Sequence, residues 1–199
     1  MDSHGKTSIY FSVRVRRTSA HPAKSRAGSG NFIKMKKIGL LSDTHGTLPE
    51  KVFEFFAECD QIWHAGDIGN QELLNRLEEN HIVKAVFGNI DGTEIRVCTR
   101  EFIIETIEGV KILMIHIGGY PGRYEKKVRE MIVTEHPKLF ISGHSHILKV
   151  IYDKKHQLLH INPGAAGNSG LHQKITLVRF DLDKGEIKNL EVFEKDRKR

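Results

Sequence analysis

Ile38-Gly39-Leu40-Leu41-Ser42-Asp43-Thr44-His45 decides the reading of this chain. An apolar run of strand length stops abruptly at an acid, with an imidazole two positions on. In extended backbone, residues i and i+2 project the same way, so Asp43 and His45 can deliver two donors to one point. The same spacing returns far downstream in Gly143-His144-Ser145-His146, after the short apolar run Leu139-Phe140-Ile141. Between them, Gln61–Ala65 ends at Gly66-Asp67, Ile82–Phe87 ends at Gly88-Asn89, and the apolar run from Val110 ends at His116. A polar donor just past each strand indicates a sheet with its site along the carboxyl edge.

Working outward, Pro49 suits the first turn of a helix that carries Val52, Phe53, Phe56 and Ala57 at helical spacing. A second helix around Asn70–Glu79 carries Leu73, Leu74 and Leu77. Glu101–Thr106 and Val110–His116, separated by Glu108-Gly109, read as a hairpin. A loop, Gly118–Tyr124, precedes a helix from about Glu125 to Glu135. From Leu148 to about Val192 the text is mostly strand and turn, with Asn162-Pro163-Gly164 suited to a type II turn. The expected fold class is therefore α/β, with two packed, mainly mixed β-sheets flanked by helices.

The donors number seven: Asp43, His45, Asp67, Asn89, His116, His144 and His146. Seven exceed the needs of one tetrahedral zinc but suit two cations that share a carboxylate. That pattern implies a dinuclear metal hydrolase.

Composition narrows the alternatives. A chain of 199 residues accommodates one domain with a substantial core. No apolar run approaches the ~20 residues of a membrane span. Cys59 and Cys98 form no CxxC motif and read as reduced thiols of a cytoplasmic protein. The net charge of +6 points to nucleic acid until it is located. Residues 1–34 hold seven Lys and Arg against Asp2, so the remainder is formally neutral and nucleic-acid binding is not expected. Residues 1–34, apolar only around Ile9 to Val15, are expected to be a disordered basic extension, either a leader or an over-extended start. Residues 35–199 form the domain, since Met35-Lys36-Lys37-Ile38 reads like a natural beginning.

The ordered set Asp43-x-His45, Gly66-Asp67, Gly88-Asn89, His116 and Gly143-His144-x-His146 resembles the calcineurin-like metallophosphoesterase superfamily. The form Gly88-Asn89-Ile90-Asp91 and the compact length are similar to its small bacterial and archaeal phosphodiesterase branch, whose fold the retromer subunit Vps29 shares. The resemblance spans residues 36 to about 192 and implies a four-layer sandwich. It also implies one ion held by Asp43, His45, Asp67 and His146, and a second held by Asp67, Asn89, His116 and His144, with Asp67 as the bridge. Two such cations generate a hydroxide and clamp phosphoryl oxygens during in-line attack. Manganese is the expected metal, with iron, cobalt, nickel and zinc also compatible with the donors. The implied activity is hydrolysis of small-molecule phosphodiesters, with phosphomonoesters as a second class, and Asp67, Asn89 and His116 at the reacting centre. A Vps29-like interaction scaffold with a vestigial site is the alternative. Oligomerisation is left open.

One departure matters. Many members carry His after the Asn, near the leaving group, whereas this chain has Ile90, which cannot donate a proton. The usual second His near His116 is also replaced, by Ile117-Gly118-Gly119. Asp91 is read as holding the Asn89 loop or contacting substrate, and Arg123 as a phosphate contact or a solvated arginine. His64 is expected to satisfy a core or supporting hydrogen bond, and His160 and His172 to be structural.

Overall fold

The computed structural model describes residues 14–16 and 35–197. Among the described residues, thirteen strands and four helices run in the order β1 (Arg14–Arg16), β2 (Lys36–Leu41), α1 (Lys51–Phe56), β3 (Gln61–His64), α2 (Gln71–Glu78), β4 (Ile82–Ala85), α3 (Thr93–Cys98), β5 (Phe102–Ile107), β6 (Val110–Ile115), β7 (Gly119–Tyr120), β8 (Arg123–Tyr124), α4 (Lys126–Glu135), β9 (Leu139–Ile141), β10 (Leu148–Asp153), β11 (Leu158–Pro163), β12 (Lys174–Asp183) and β13 (Glu186–Asp196). One mixed sheet has the order β1-β13-β12-β2-β3-β4, with β2, β3 and β4 parallel. A second has the order β10-β11-β9-β6-β5, with β11, β9 and β6 parallel.

Alternation along the strands builds the layers. Ile38, Leu40, Trp63, Ala65 and Phe180 of the first sheet meet Ile112, Met114, Ile141 and Ile161 of the second in one apolar cluster. Trp63 is 1% exposed and sets its ring edge-on to Phe180 at 5.9 Å, while its indole N–H donates to Gln61 Oε1 at 2.9 Å. Such a buried side chain contributes about 1.5–3 kcal/mol through burial. On the outer face of the first sheet, Leu41, Ile62 and Leu177 pack under α1, α2 and α3. On the outer face of the second, Leu113, Ile115 and Phe140 pack under Val128 and Ile132 of α4. The result is the expected four-layer arrangement of helix, sheet, sheet and helix.

Several local expectations change. In α1 the buried face is Val52, Phe55 and Phe56, not Val52, Phe53, Phe56 and Ala57, since Ala57 is the exposed C-cap. The helix turns Phe55 inward against Phe193 and leaves Phe53 partly covered, beneath the Arg76 guanidinium. Helix α3, absent from the sequence reading, is a short helix that buries Ile95 alone and so carries no apolar stripe. β11 continues through Pro163, and the left-handed turn residue after it is Gly164, at φ +74°. The β5–β6 hairpin closes as expected through Glu108 and Gly109, both at positive φ, which matches the twist of the strands.

Of the expected basic extension, residues 14–16 are described. Residues 14–16 form a parallel edge strand whose backbone pairs Arg14 with Glu191 and Arg16 with Phe193. They lie at the end of the Ile9 to Val15 run, the one part of the extension with strand-like composition. The rest of 1–34 lies outside the described residues. No helix among the described residues is long and apolar enough to cross a membrane. Cys59 and Cys98 are both free, and burial pushes the Cys59 thiol up to about 12.

Candidate metal centre

The carboxyl ends of β2, β3 and β4 in one sheet meet those of β6 and β9 in the other, and all seven expected donors sit just past these ends. Hydrogen bonds between the loops continue the sheets beyond the strands. Asp43 N donates to Gly66 O at 3.0 Å, His45 N to Asp67 O at 3.0 Å and Gly143 N to His116 O at 2.9 Å.

Asp43 and His45 join one donor group, whereas His144 and His146 divide between two, and neither pair lies in extended backbone. Asp43 and His45 have φ of +55° and +47°, and His144 and His146 have φ of +67° and +56°. Asp67 is also left-handed, at φ +56°. Left-handed backbone is uncommon outside glycine and persists where the surroundings impose it, a condition that collects at functional sites.

The donors fall into two groups. Asp43, His45, Asp67 and His146 can each offer an atom within 4.8 Å of the others, and so can Asp67, His116 and His144. Asp67 belongs to both. Its Oδ2 lies 3.8 Å from His45 Nε2 and its Oδ1 lies 3.2 Å from His116 Nε2. Asn89 Oδ1 stands 3.2 Å from the same His116 nitrogen, which places Asn89 with the second group. His45 Nε2 and His146 Nε2 approach to 3.4 Å.

Asp43 is 0% exposed, and its Oδ1 has no hydrogen-bond partner although His146 Nε2 is 3.2 Å away. Its Oδ2 accepts from His144 N at 3.2 Å. A buried carboxylate oxygen without a hydrogen bond is costly unless a cation meets it, and the four-donor group around Asp43 fits one. His116 is oriented for the same task. Its Nδ1–H donates to Ala65 O at 2.7 Å, which aims Nε2 at Asp67 and Asn89.

The clustered groups shift one another's titration. Burial raises the Asp67 carboxyl, but the His116 hydrogen bond and charge outweigh it and hold the group below its ordinary value. Burial lowers His116, yet the Asp67 bond and the Asp43 charge hold it above the ordinary imidazole value. The adjoining Asp43 carboxylate raises His146 against its own burial.

Glycines set the close approaches. A Cβ at Gly88 would lie 2.0 Å from Asp67 Oδ1, and one at Gly66, which has φ +95°, would lie 2.5 Å from His116 Nδ1. Neither position tolerates a side chain without moving a donor.

Supporting residues lock the loops. Asp91 is 3% exposed and accepts from Gly88 N at 2.7 Å, Ile68 N at 3.1 Å and Gly69 N at 2.8 Å. Its carboxylate therefore ties the Asp67 loop to the Asn89 loop, which is the loop-holding role of the two read for it. Arg96 of α3 donates to Asp91 O at 2.7 Å and Gly88 O at 3.0 Å, with its guanidinium 4.3 Å from the Phe87 ring centroid. Nothing in the sequence pattern pointed to Arg96. Asn162 donates to Gly143 O at 2.7 Å and Ser145 Oγ at 3.1 Å, steadying the His144–His146 turn. A polar residue closing an apolar strand was the available signal for Asn162.

The remaining histidines are accounted for. Gly66 N donates to His64 Nδ1 at 3.2 Å, so His64 Nε2 carries the proton toward Thr44 Oγ1 at 2.9 Å, and burial lowers the ring to about 4. His64 therefore serves the supporting role expected of it. His160 stacks on Phe140 and bonds Ser142 Oγ at 3.0 Å, a structural place in the second sheet. His172 lies closer to the centre than expected, edge-on to His146 at 5.2 Å, with Nε2 bonding Gly167 O. Arg123 is exposed in the β7–β8 hairpin, opposite Tyr120.

The sequence signature of the Calcineurin-like phosphoesterase superfamily domain matches residues 35–185. A probable metallophosphoesterase of Methanothermobacter thermautotrophicus is 31% identical over 140 residues, which is 64% of this chain and 76% of that protein. The solved structure of an archaeal phosphodiesterase superposes with a TM-score of 0.64 at 26% identity, covering 80% of this chain and 99% of that one. Vacuolar Protein Sorting 29 from Cryptosporidium parvum shares the fold, with a TM-score of 0.58 at 21% identity over 81% of this chain and 98% of that one.

Proposed function

The chain belongs to the calcineurin-like phosphoesterase superfamily, and from that premise we propose that it hydrolyses phosphodiesters at a dinuclear metal centre bridged by Asp67. The observation that carries the proposal is the division of one carboxylate, with Oδ2 facing the His45 group and Oδ1 facing the His116 group. Asp43, His45, Asp67 and His146 would hold one divalent cation, and Asp67, Asn89, His116 and His144 the other. Bound there, such ions supply Lewis acidity to the phosphoryl oxygens and make a water acidic enough to attack at neutral pH. The mixed imidazole, carboxylate and amide donors suit manganese, and also iron, cobalt, nickel or zinc.

The protein's own part is orientation. Ala65 O fixes the His116 ring, and the Ile90 N–H donates to Asp67 Oδ1 at 3.1 Å, which holds the carboxylate plane. Asp91 and Arg96 keep Asn89 at the edge of the site. The interaction-scaffold alternative is opposed by the complete set of seven donors, because a site without turnover has no need of them all. Chelator-stripped protein should hydrolyse bis-p-nitrophenyl phosphate only after a divalent metal is restored. Turnover that survives complete stripping would refute a metal-dependent activity.

The histidine environment sets a pH dependence. Nε2 of His116 and His146 must be unprotonated to bind metal, and both rings are held above the ordinary imidazole value of 6.5 in the metal-free protein. Their protons stabilise the metal-free fold at low pH, and that contribution disappears as pH rises through the raised values. Manganese affinity measured by calorimetry should therefore weaken steeply as pH falls from about 8 to about 6. An affinity constant across this range would contradict ligation by these two rings.

A further inference from the structure

A cavity of about 390 Å³ opens directly from the second donor group, lined by Asn89 and His116 and walled by Phe87, Ile115, Ile117 and Val128. Its volume falls at the small end of sites that hold organic ligands. Its charged lining is balanced, with Arg96 and Lys127 against Glu101 and Glu125. Arg96 is already spent on the Asp91 and Gly88 carbonyls, and Lys127 Nζ donates to Glu101 Oε1 at 2.5 Å. A second phosphoryl group would therefore meet no uncommitted pair of cations, only apolar wall and the Glu125 carboxylate. Ile117, which directly follows the donor His116, adds to the apolar wall and is 41% exposed.

We propose that this cavity is the subsite for one ester arm of the substrate, and that it selects an uncharged, flat, ring-bearing arm over either a small alkyl or an anionic one. The inference rests on the phosphoesterase reading only in calling the occupant an ester arm. A phosphoryl group placed at Asn89 and His116 would direct one substituent into the cavity, where Phe87, with Arg96 over its ring, and the aliphatic walls of Ile115, Ile117 and Val128 would line a ring. Burying that ring in place of a methyl group removes substantial apolar area from water.

The test uses full-length, manganese-loaded protein and two probes that cannot be hydrolysed, phenylphosphonate and methylphosphonate, titrated by calorimetry. Phenylphosphonate should bind about tenfold more tightly or better, and Phe87→Ala should reduce that preference below about threefold at unchanged metal content. A pocket-filling Glu125→Trp should likewise erase the preference, and covers the case in which Phe87→Ala unfolds the protein. Kinetics with p-nitrophenyl phenyl phosphate and p-nitrophenyl methyl phosphate share one leaving group and should show the same ranking in kcat/KM. Equal affinities for the two phosphonates would overturn the subsite while leaving the phosphoesterase reading intact. A phenyl preference without turnover of either diester would uphold the subsite and defeat that reading.

Discussion

Replacing Asp67 with alanine should lower bound manganese from two ions to one or fewer per chain and reduce kcat/KM on an aryl phosphodiester by roughly a thousandfold or more, since the metals supply several kcal/mol of transition-state stabilisation. No other donor is shared by the two groups, so no other single truncation removes a ligand from both. Asp67 is 2% exposed and also accepts the Ile90 N–H, so the variant loosens the Asn89 loop in addition to losing a ligand. Asp67→Asn separates these effects, because the amide keeps an oxygen for Ile90 N–H while giving up the negative charge. It should retain the fold by circular dichroism and still lose the second ion. Either variant keeping two ions and activity within tenfold of the parent would mean that Asp67 is not the bridge.

The second large effect concerns the leaving group. Ile90 directly follows Asn89, and its side chain is hydrocarbon and 46% exposed, so it can donate no proton there. General acid assistance is typically worth 10²–10⁴-fold, about 3–5 kcal/mol of barrier. Without it, log kcat/KM should fall steeply as leaving-group pKa rises along a series of aryl methyl phosphates. Alkyl diesters should be turned over slowest. Ile90→His should flatten the slope, provided the ring leaves Asn89 in place. A flat plot for the parent chain, with chemistry rate-limiting, would show that a proton donor exists elsewhere. His172, which packs against His146 and is not among the seven donors, would be the group to replace next.

What could be read from the sequence follows from periodicity and punctuation. Strands that stop at Gly-Asp, Gly-Asn or Gly-His place polar groups at the end of an apolar run, and the fold preserved that pattern at Asp67, Asn89 and His144. The manner of convergence could not be read that way. Five of the donors adopt left-handed backbone, which depends on loop-to-loop hydrogen bonds such as Asp43 N to Gly66 O and not on local preference. Arg96 carries no sequence signal because it acts through the Gly88 and Asp91 backbone carbonyls of the loop that leads into its helix. The α1 face was misassigned because Phe53, Phe55 and Phe56 offer two overlapping helical stripes, and the sheet beneath chose Phe55. In the basic extension, charge density drew attention away from the Ile9 to Val15 run, part of which pairs with β13.

The proposal of a dinuclear centre is tested most directly by manganese stoichiometry combined with electron paramagnetic resonance on the reconstituted protein. Two ions per chain should bind and give the spectrum of an exchange-coupled pair, since a shared carboxylate holds such ions ~3.5–4 Å apart. Saturation at one ion, or two ions with the spectrum of isolated manganese, would contradict a centre bridged by Asp67.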